Sequence, residues 1–348
     1  MSLVIIIVVF FRLEKWLSYR TMSLLGCGLI VSGVLFSAWP LLYNLYIGLG
    51  LLLGAGGCVC AITGVLQINR QFTGSDRGLA HGFSLAGNTL GGLLLPGLIA
   101  ALIQNCSYTE AMVILATILL NIVPASLVFS NEVVKNDYTD PEASDDNNTE
   151  HQEVKSIYSN PRLWFCIFST ASTTLGYTNF GLYLPLHLHS AFGLGTGAAA
   201  SFISVFSVGD LLGRVSGPAL SDRLGPRWVW YCGGLAGAGL TMILVSLASA
   251  PVTAGGLTLV AGLCSGVMVG VYPALLADEL GSDQLSLTYP LSQTLAGLLN
   301  LGGPPLLGLL ASRVSTHVVM LVLGSSLIIG SVPLTLSSIF ICSRSDKI

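Results

Sequence analysis

The sequence predicts an all-α polytopic membrane protein built as two helical bundles. Of its 348 residues, 53% are hydrophobic and only 9% charged, against about 25% charged in soluble domains. Mean hydropathy is +0.78. The apolar residues fall in runs of spanning length, parted by short polar turns and one long acidic stretch.

The chain opens on Met1–Phe11, an apolar segment about half the ~20 residues a spanning helix needs. It has no basic leader and no small-residue cleavage site, so it is read as the remaining end of a helix rather than a signal peptide. Ten full spans are expected over 20–39, 42–66, 79–103, 109–130, 162–188, 196–219, 228–249, 252–276, 286–311 and 316–341. Gly and Pro interrupt many of them, which membrane helices tolerate when neighbours satisfy the freed backbone.

Residues 131–160 carry eight acidic and two basic side chains and few apolar ones. They read as a disordered cytoplasmic linker. The linker divides the chain into an incomplete N-terminal bundle over 1–130 and a six-helix C-terminal bundle over 161–341, with a cytoplasmic tail over 342–348.

Orientation follows from the basic residues. If the segment after Phe11 is cytoplasmic and sides alternate, twelve of the fourteen Lys and Arg fall inside. Only Arg313 falls outside, and Arg214 lies within a span. That is a strong positive-inside pattern, and one missed helix would scramble it. The C-terminus and central loop are therefore expected in the cytoplasm.

Composition also excludes classes. A net charge of −3 gives no basic surface for nucleic acid. The eight cysteines are scattered, mostly in apolar segments, without metal-ligand spacing. No Ser/His/Asp or nucleotide-loop constellation has its required context, so neither an enzyme nor a cofactor or metal site is expected.

Two short segments recur at one offset. Leu17-Ser-Tyr-Arg20 pairs with Leu224-Gly-Pro-Arg227, and Gly74-Ser-Asp76 with Gly281-Ser-Asp283, each 207 residues on. Parallel repeats of this kind mark transporters built from two similar halves. The offset implies a twelve-helix parent of which this chain lacks the first helix and much of the second, as in a splice form, a misplaced start or a fragment.

One pair of opposite charges stands deep in an apolar span, in Gly209-Asp210-Leu-Leu-Gly-Arg214. Four residues apart, both side chains lie on one helix face. A charge at mid-bilayer costs about 3 kcal/mol on insertion scales, and intramembrane charges mark functional sites. The repeat places Leu3 and Ile7 at the equivalent positions, so the charges occur in one half only.

These residues resemble the monocarboxylate transporter family of the major facilitator superfamily, from Leu17 to about Ser312 apart from the linker. Arg70-Gln-Phe-Thr-Gly-Ser-Asp-Arg-Gly-Leu-Ala-His-Gly-Phe-Ser-Leu-Ala-Gly87 is similar to the family's loop and fifth helix. Asp210-x-x-x-Arg214 matches the Asp/Arg pair of its eighth helix. Ser221-Asp-Arg-Leu-Gly-Pro-Arg227 resembles the superfamily's Asp-Arg-x-Gly loop. Leu280-Gly-Ser-Asp-Gln-Leu-Ser286 and Gly302-Gly-Pro-Pro-Leu-Leu-Gly308 resemble its tenth loop and eleventh helix. The first-helix signature is absent, and with it the lysine that takes part in coupling in proton-coupled members.

The resemblance implies a major facilitator fold and transport of a monocarboxylate or related small organic anion by alternating access, through a plasma-membrane carrier with no bound cofactor. Proton coupling and facilitated diffusion both stay open. The alternative is a transport-inactive truncated isoform that only engages membrane partners such as a single-span chaperone.

Arg214 is the expected carboxylate anchor, because a guanidinium offers paired donors to two carboxylate oxygens. Asp210 would neutralise it or accept a proton. His81, Asn88, Tyr177, Asn179 and Tyr272 are the further candidates for binding or coupling. Asp222, Arg223 and Arg227 are expected to form a cytoplasmic gate, with Asp278 and Glu279 near the inner rim. The Gly262-x-x-x-Gly266-x-x-x-Gly270 run reads as close helix packing.

Overall fold

In the computed structural model, residues 17–72, 76–129, 159–281 and 284–345 are described, and ten helical stretches account for nearly all of them. The N-terminal segment, Leu3 and Ile7, and all but the last two residues of the expected linker lie outside the described residues. Among the described residues, nine helices are long and apolar enough to cross a membrane by length and composition.

Four helices come first. α1 is Tyr19–Phe36, started by Ser18, whose hydroxyl accepts from the Thr21 amide. α2 is Leu42–Gln71 and contains a π-helical stretch, Tyr46–Leu53. α3 is Asp76–Asn105. α4 is Tyr108–Leu127, opened by a reciprocal capping box between Ser107 and Glu110.

Six more follow. α5 consists of Pro161–Thr173 and Asn179–Phe192, joined by the π turn Thr174–Thr178. α6 is Thr196–Leu224, α7 Arg227–Ser246, α8 Pro251–Leu280, α9 Leu285–Arg313 and α10 Thr316–Ser345. Gly193 closes α5 in the left-handed region at φ 64°, a conformation glycine adopts without a Cβ penalty.

The span expected over 162–188 is the one helical stretch absent from the nine. Its first half is rich in hydroxyls, and these bond back to the preceding turn: Thr170 to the Cys166 carbonyl, Thr173 to that of Ser169, Thr174 to that of Thr170. Such bonding hides polar groups within the helix, which lets a segment of modest hydropathy stay helical.

The chain divides into two compact units, Met1–Gln71 with Leu94–Asn160, and Phe72–Leu93 with Pro161–Ile348. In the first, α1 and α2 approach so closely at Gly26 and Gly56 that a Cβ on either would overlap the facing helix. Val34, Ala38, Met112, Leu115 and Ala116 form its buried cluster. Ser23 and Ser126 are hydrogen-bonded at 2.7 Å.

In the second unit, α6 packs along α8, and α7 packs against α8 and α10. Gly262, Gly266 and Gly270 sit against the α6 backbone, as their spacing predicts. α6 answers with its own row, Gly209, Gly213 and Gly217, against α8. A Cβ on Gly266 would meet the Asp210 carbonyl and the Arg214 amide, so the glycine row seats the turn of α6 that carries both charges.

Large apolar side chains such as Leu42, Leu182, Val252 and Leu306 are exposed, while Ser169, Thr258, Asn179 and the Asp210–Arg214 pair are buried. An apolar outside with a hydrogen-bonded polar inside is the pattern of a bilayer-embedded bundle.

Candidate functional site

α6 holds Asp210 and Arg214 one turn apart, each side chain 1% exposed. Arg214 Nε donates to Asp210 Oδ2 at 2.7 Å. Nη1 donates to the Leu85 carbonyl at 3.1 Å, and Nη2 to the Tyr177 hydroxyl at 2.8 Å. The guanidinium also lies over the Tyr177 ring, 5.9 Å from its centroid. Three of its five N–H groups are thus engaged.

Oδ2 of Asp210 accepts from two further groups, Thr89 Oγ1 at 2.5 Å and Tyr177 O–H at 3.3 Å. Oδ1 is buried without a partner. The carboxylate is therefore loaded on one oxygen and bare on the other, an arrangement that desolvation makes costly unless the bare oxygen is put to use.

Of the expected residues, the structure gathers Asp210, Arg214 and Tyr177 into one network. It adds Thr89 and the Leu85 carbonyl, neither of which was foreseen. His81 lies two helical turns before Thr89 on α3 and is wholly buried, with neither ring nitrogen partnered. Its neighbour Gly82 abuts the Arg214 carbonyl and Pro218. Asn88 is exposed and stands outside the network. Gly78, Gly82 and Thr89, spaced four and seven residues apart, lie on the face turned toward α6, and Asn88, about 100° round the helix from Thr89, does not.

Asn179 and Tyr272 belong elsewhere in the same unit. Asn179, at the end of the π turn, donates to Asn300 Oδ1 at 3.0 Å and to the Leu175 carbonyl at 2.8 Å. Tyr183, one turn on, donates to the Pro304 carbonyl at 3.1 Å. These bonds tie the irregular part of α5 to the stretch of α9 interrupted by Pro304 and Pro305. Tyr272 is buried between Tyr231 and Tyr289 and donates to Ser292 at 2.9 Å, the environment of a packing residue.

Of the residues expected at the cytoplasmic rim, the structure pairs Asp222 with Arg227. Arg227 bonds Asp222 Oδ1 through Nε at 3.0 Å and Nη2 at 2.7 Å, and also reaches Asp278. Asp278 and Asp222 help line a small pocket with Ser221, Gly225 and Pro226. Gly78 of α3 passes so near the Asp222 carboxylate that a Cβ would press on it. Glu279 pairs with Arg162 at 3.0 Å. Arg223 is exposed and forms none of the ion pairs of this cluster among the described residues.

The Major Facilitator Superfamily pattern matches residues 4–289. The chain belongs to that superfamily. Its similarity to human monocarboxylate transporter 11 is 29% identity over 323 residues, covering 89% of this chain and 66% of that one. Human monocarboxylate transporter 12 is 24% identical over 346 residues, covering 91% and 67%. Rat monocarboxylate transporter 13 is 26% identical over 338, covering 95% and 76%. The chain thus spans about two thirds of the length of the first two of these relatives.

Solved structures share the fold. The Escherichia coli fucose:proton symporter FucP aligns at TM-score 0.70 and 14% identity, over 93% of this chain and 85% of that one. The human organic anion transporter MFSD10 aligns at TM-score 0.69 and 13% identity, over 91% and 77%. The superfamily fold, rather than any enzyme fold, is what these relatives hold in common with the chain.

Proposed function

We propose that this superfamily member carries a monocarboxylate or related small organic anion across the membrane by alternating access, with Arg214 as the carboxylate anchor. The observation that carries the reading is the Asp210–Arg214–Tyr177–Thr89 network. A guanidinium sealed in an apolar span keeps two N–H groups in reserve, beside a carboxylate with one bare oxygen. An incoming carboxylate would take the guanidinium from Asp210. Thr89 and Tyr177 would go on holding Oδ2, and a proton on Oδ1 would remove the repulsion between the two carboxylates.

Arg214 and Asp210 are each 1% exposed, so a solute reaches them only when contacts from Leu85, Thr89 or Tyr177 give way. That requirement supports a cycle of closed and open states. The Asp222–Arg227–Asp278 cluster serves as its cytoplasmic latch in this reading, with the C-terminus in the cytoplasm and the carrier in the plasma membrane.

The reading is tested by thermal stability of the purified chain against a panel of monocarboxylates, aromatic amino acids and neutral polyols. Monocarboxylates should raise the unfolding midpoint in proportion to the logarithm of concentration above saturation, and Arg214→Gln should abolish the rise. Stabilisation by neutral polyols alone would contradict an anionic substrate.

A further inference from the structure

We propose that the Tyr177 hydroxyl stands in for substrate at Arg214. Together with Asp210 Oδ2 it fills the two-pronged edge of the guanidinium that an incoming carboxylate takes over, and by competing there it sets how tightly carboxylates bind. The inference rests on the reading of Arg214 as the carboxylate anchor and deepens it.

A guanidinium offers a side-on fork, the parallel N–H groups of Nε and Nη2, which matches the two oxygens of one carboxylate. Here two oxygens from different residues fill that fork. Nε donates to Asp210 Oδ2 at 2.7 Å and Nη2 to the Tyr177 oxygen at 2.8 Å. The Tyr177 hydroxyl has one proton and gives it to the same Oδ2 at 3.3 Å. These bonds close a ring, which places both acceptors on the fork edge. Oδ1, which would make Asp210 a bidentate partner by itself, is bare. Asp210 thus holds one prong, and the second goes to a neutral phenol. A carboxylate oxygen makes the stronger, charge-assisted bond at that prong, so exchange favours an anion.

Exposure puts Tyr177 on the entry side of the network. Asp210, Arg214 and Thr89 are buried, whereas Tyr177 is half-buried. It stands on the π turn Thr174–Thr178, a geometry frequent at functional sites. The helix is tied down on either side, Ser169 to Tyr231 at 3.1 Å and Asn179 to Asn300 at 3.0 Å. The Tyr177 ring packs 5.8 Å from that of Phe206, so its seat does not depend on the hydroxyl. When a carboxylate takes Nη2, Tyr177 gives up the bond it accepts and keeps its proton on Oδ2.

The test measures binding of acetate, propionate, 2-hydroxypropionate and hexanoate to the purified full chain, read from the thermal midpoint against concentration. Tyr177→Phe keeps the ring and deletes the bond that substrate must break. The O–H bond to Oδ2 is lost from free and bound protein alike and cancels. The apparent Kd of the best-bound acid should therefore fall by about tenfold or more, whereas loss of a merely structural or substrate-holding group would raise it. Tyr183→Phe, whose hydroxyl bonds the Pro304 carbonyl instead, should leave the Kd unchanged. A second readout needs no variant: saturating acid should shift the ultraviolet absorption of a tyrosine in the wild type, and Tyr177→Phe should lack that shift. A Kd unchanged or raised in Tyr177→Phe, while Arg214→Gln still abolishes binding, overturns the role of Tyr177 and leaves the anchor standing. Wild-type binding without a tyrosine shift does the same. Binding that survives Arg214→Gln, or no binding by the wild type, overturns the anchor reading and the proposal with it.

Discussion

Thr89 donates a 2.5 Å hydrogen bond to Oδ2 of Asp210, the oxygen that Arg214 and Tyr177 also use. Thr89→Val keeps the side-chain shape and deletes the donor. Hydrogen bonds to charged groups contribute about 1.5–3 kcal/mol, so the variant should unfold at a lower temperature, measured on purified protein. Asn88→Ala, one residue away and exposed, should leave the midpoint within a degree or so.

Asp210 and Arg214 should be worth more together than apart. Breaking a buried pair by removing one partner costs about 3–5 kcal/mol, because a lone charge stays behind, whereas replacing both by apolar side chains of similar volume is often nearly neutral. Arg214→Met with Asp210→Leu should therefore be more stable than Asp210→Leu alone while binding no carboxylate. Equal instability of the double and single variants would argue against a desolvated ion pair.

The α6–α8 contact predicts opposite outcomes for two glycines of α8. Gly266→Ala places a methyl against the Asp210 backbone and should cost about 1–3 kcal/mol by overpacking. Gly256→Ala meets open space and should be neutral or gain up to about 1 kcal/mol from helix propensity. Thermal unfolding of the two variants decides this.

At the rim, the two carboxylates around Arg227 should differ in their response to salt. The Asp222 side chain is 5% exposed and that of Asp278 44%. Exposed pairs are screened and contribute little. Asp222→Asn should lower the midpoint at both low and high ionic strength, and Asp278→Asn only at low ionic strength, if at all.

The helices and the charge pair could be read from the sequence because each rests on a local pattern: runs of apolar residues, an i,i+4 spacing, a row of glycines. Thr89 could not be. A threonine in an apolar span bonds equally well to its own helix, as Thr170 does, and only the packing of α3 on α6 aims this one outward. Asn88 was the more conspicuous polar residue, yet the helical phase turns it away. Tyr272 shows the converse: it has the chemistry of a binding residue, but its neighbours Tyr231, Tyr289 and Ser292 make it part of the core. The Asp222–Arg227–Asp278 cluster fell between these cases. Asp222 and Arg227 are close in sequence and could be paired from it, while Asp278 joins them from 51 residues away.

The most direct test of the account is uptake of a radiolabelled monocarboxylate by proteoliposomes containing this chain, compared among wild type, Arg214→Ala and Arg313→Ala. Saturable uptake that Arg214→Ala abolishes and Arg313→Ala preserves is the predicted result. Uptake by Arg214→Ala at the wild-type rate would contradict the assignment of Arg214 as the anchor.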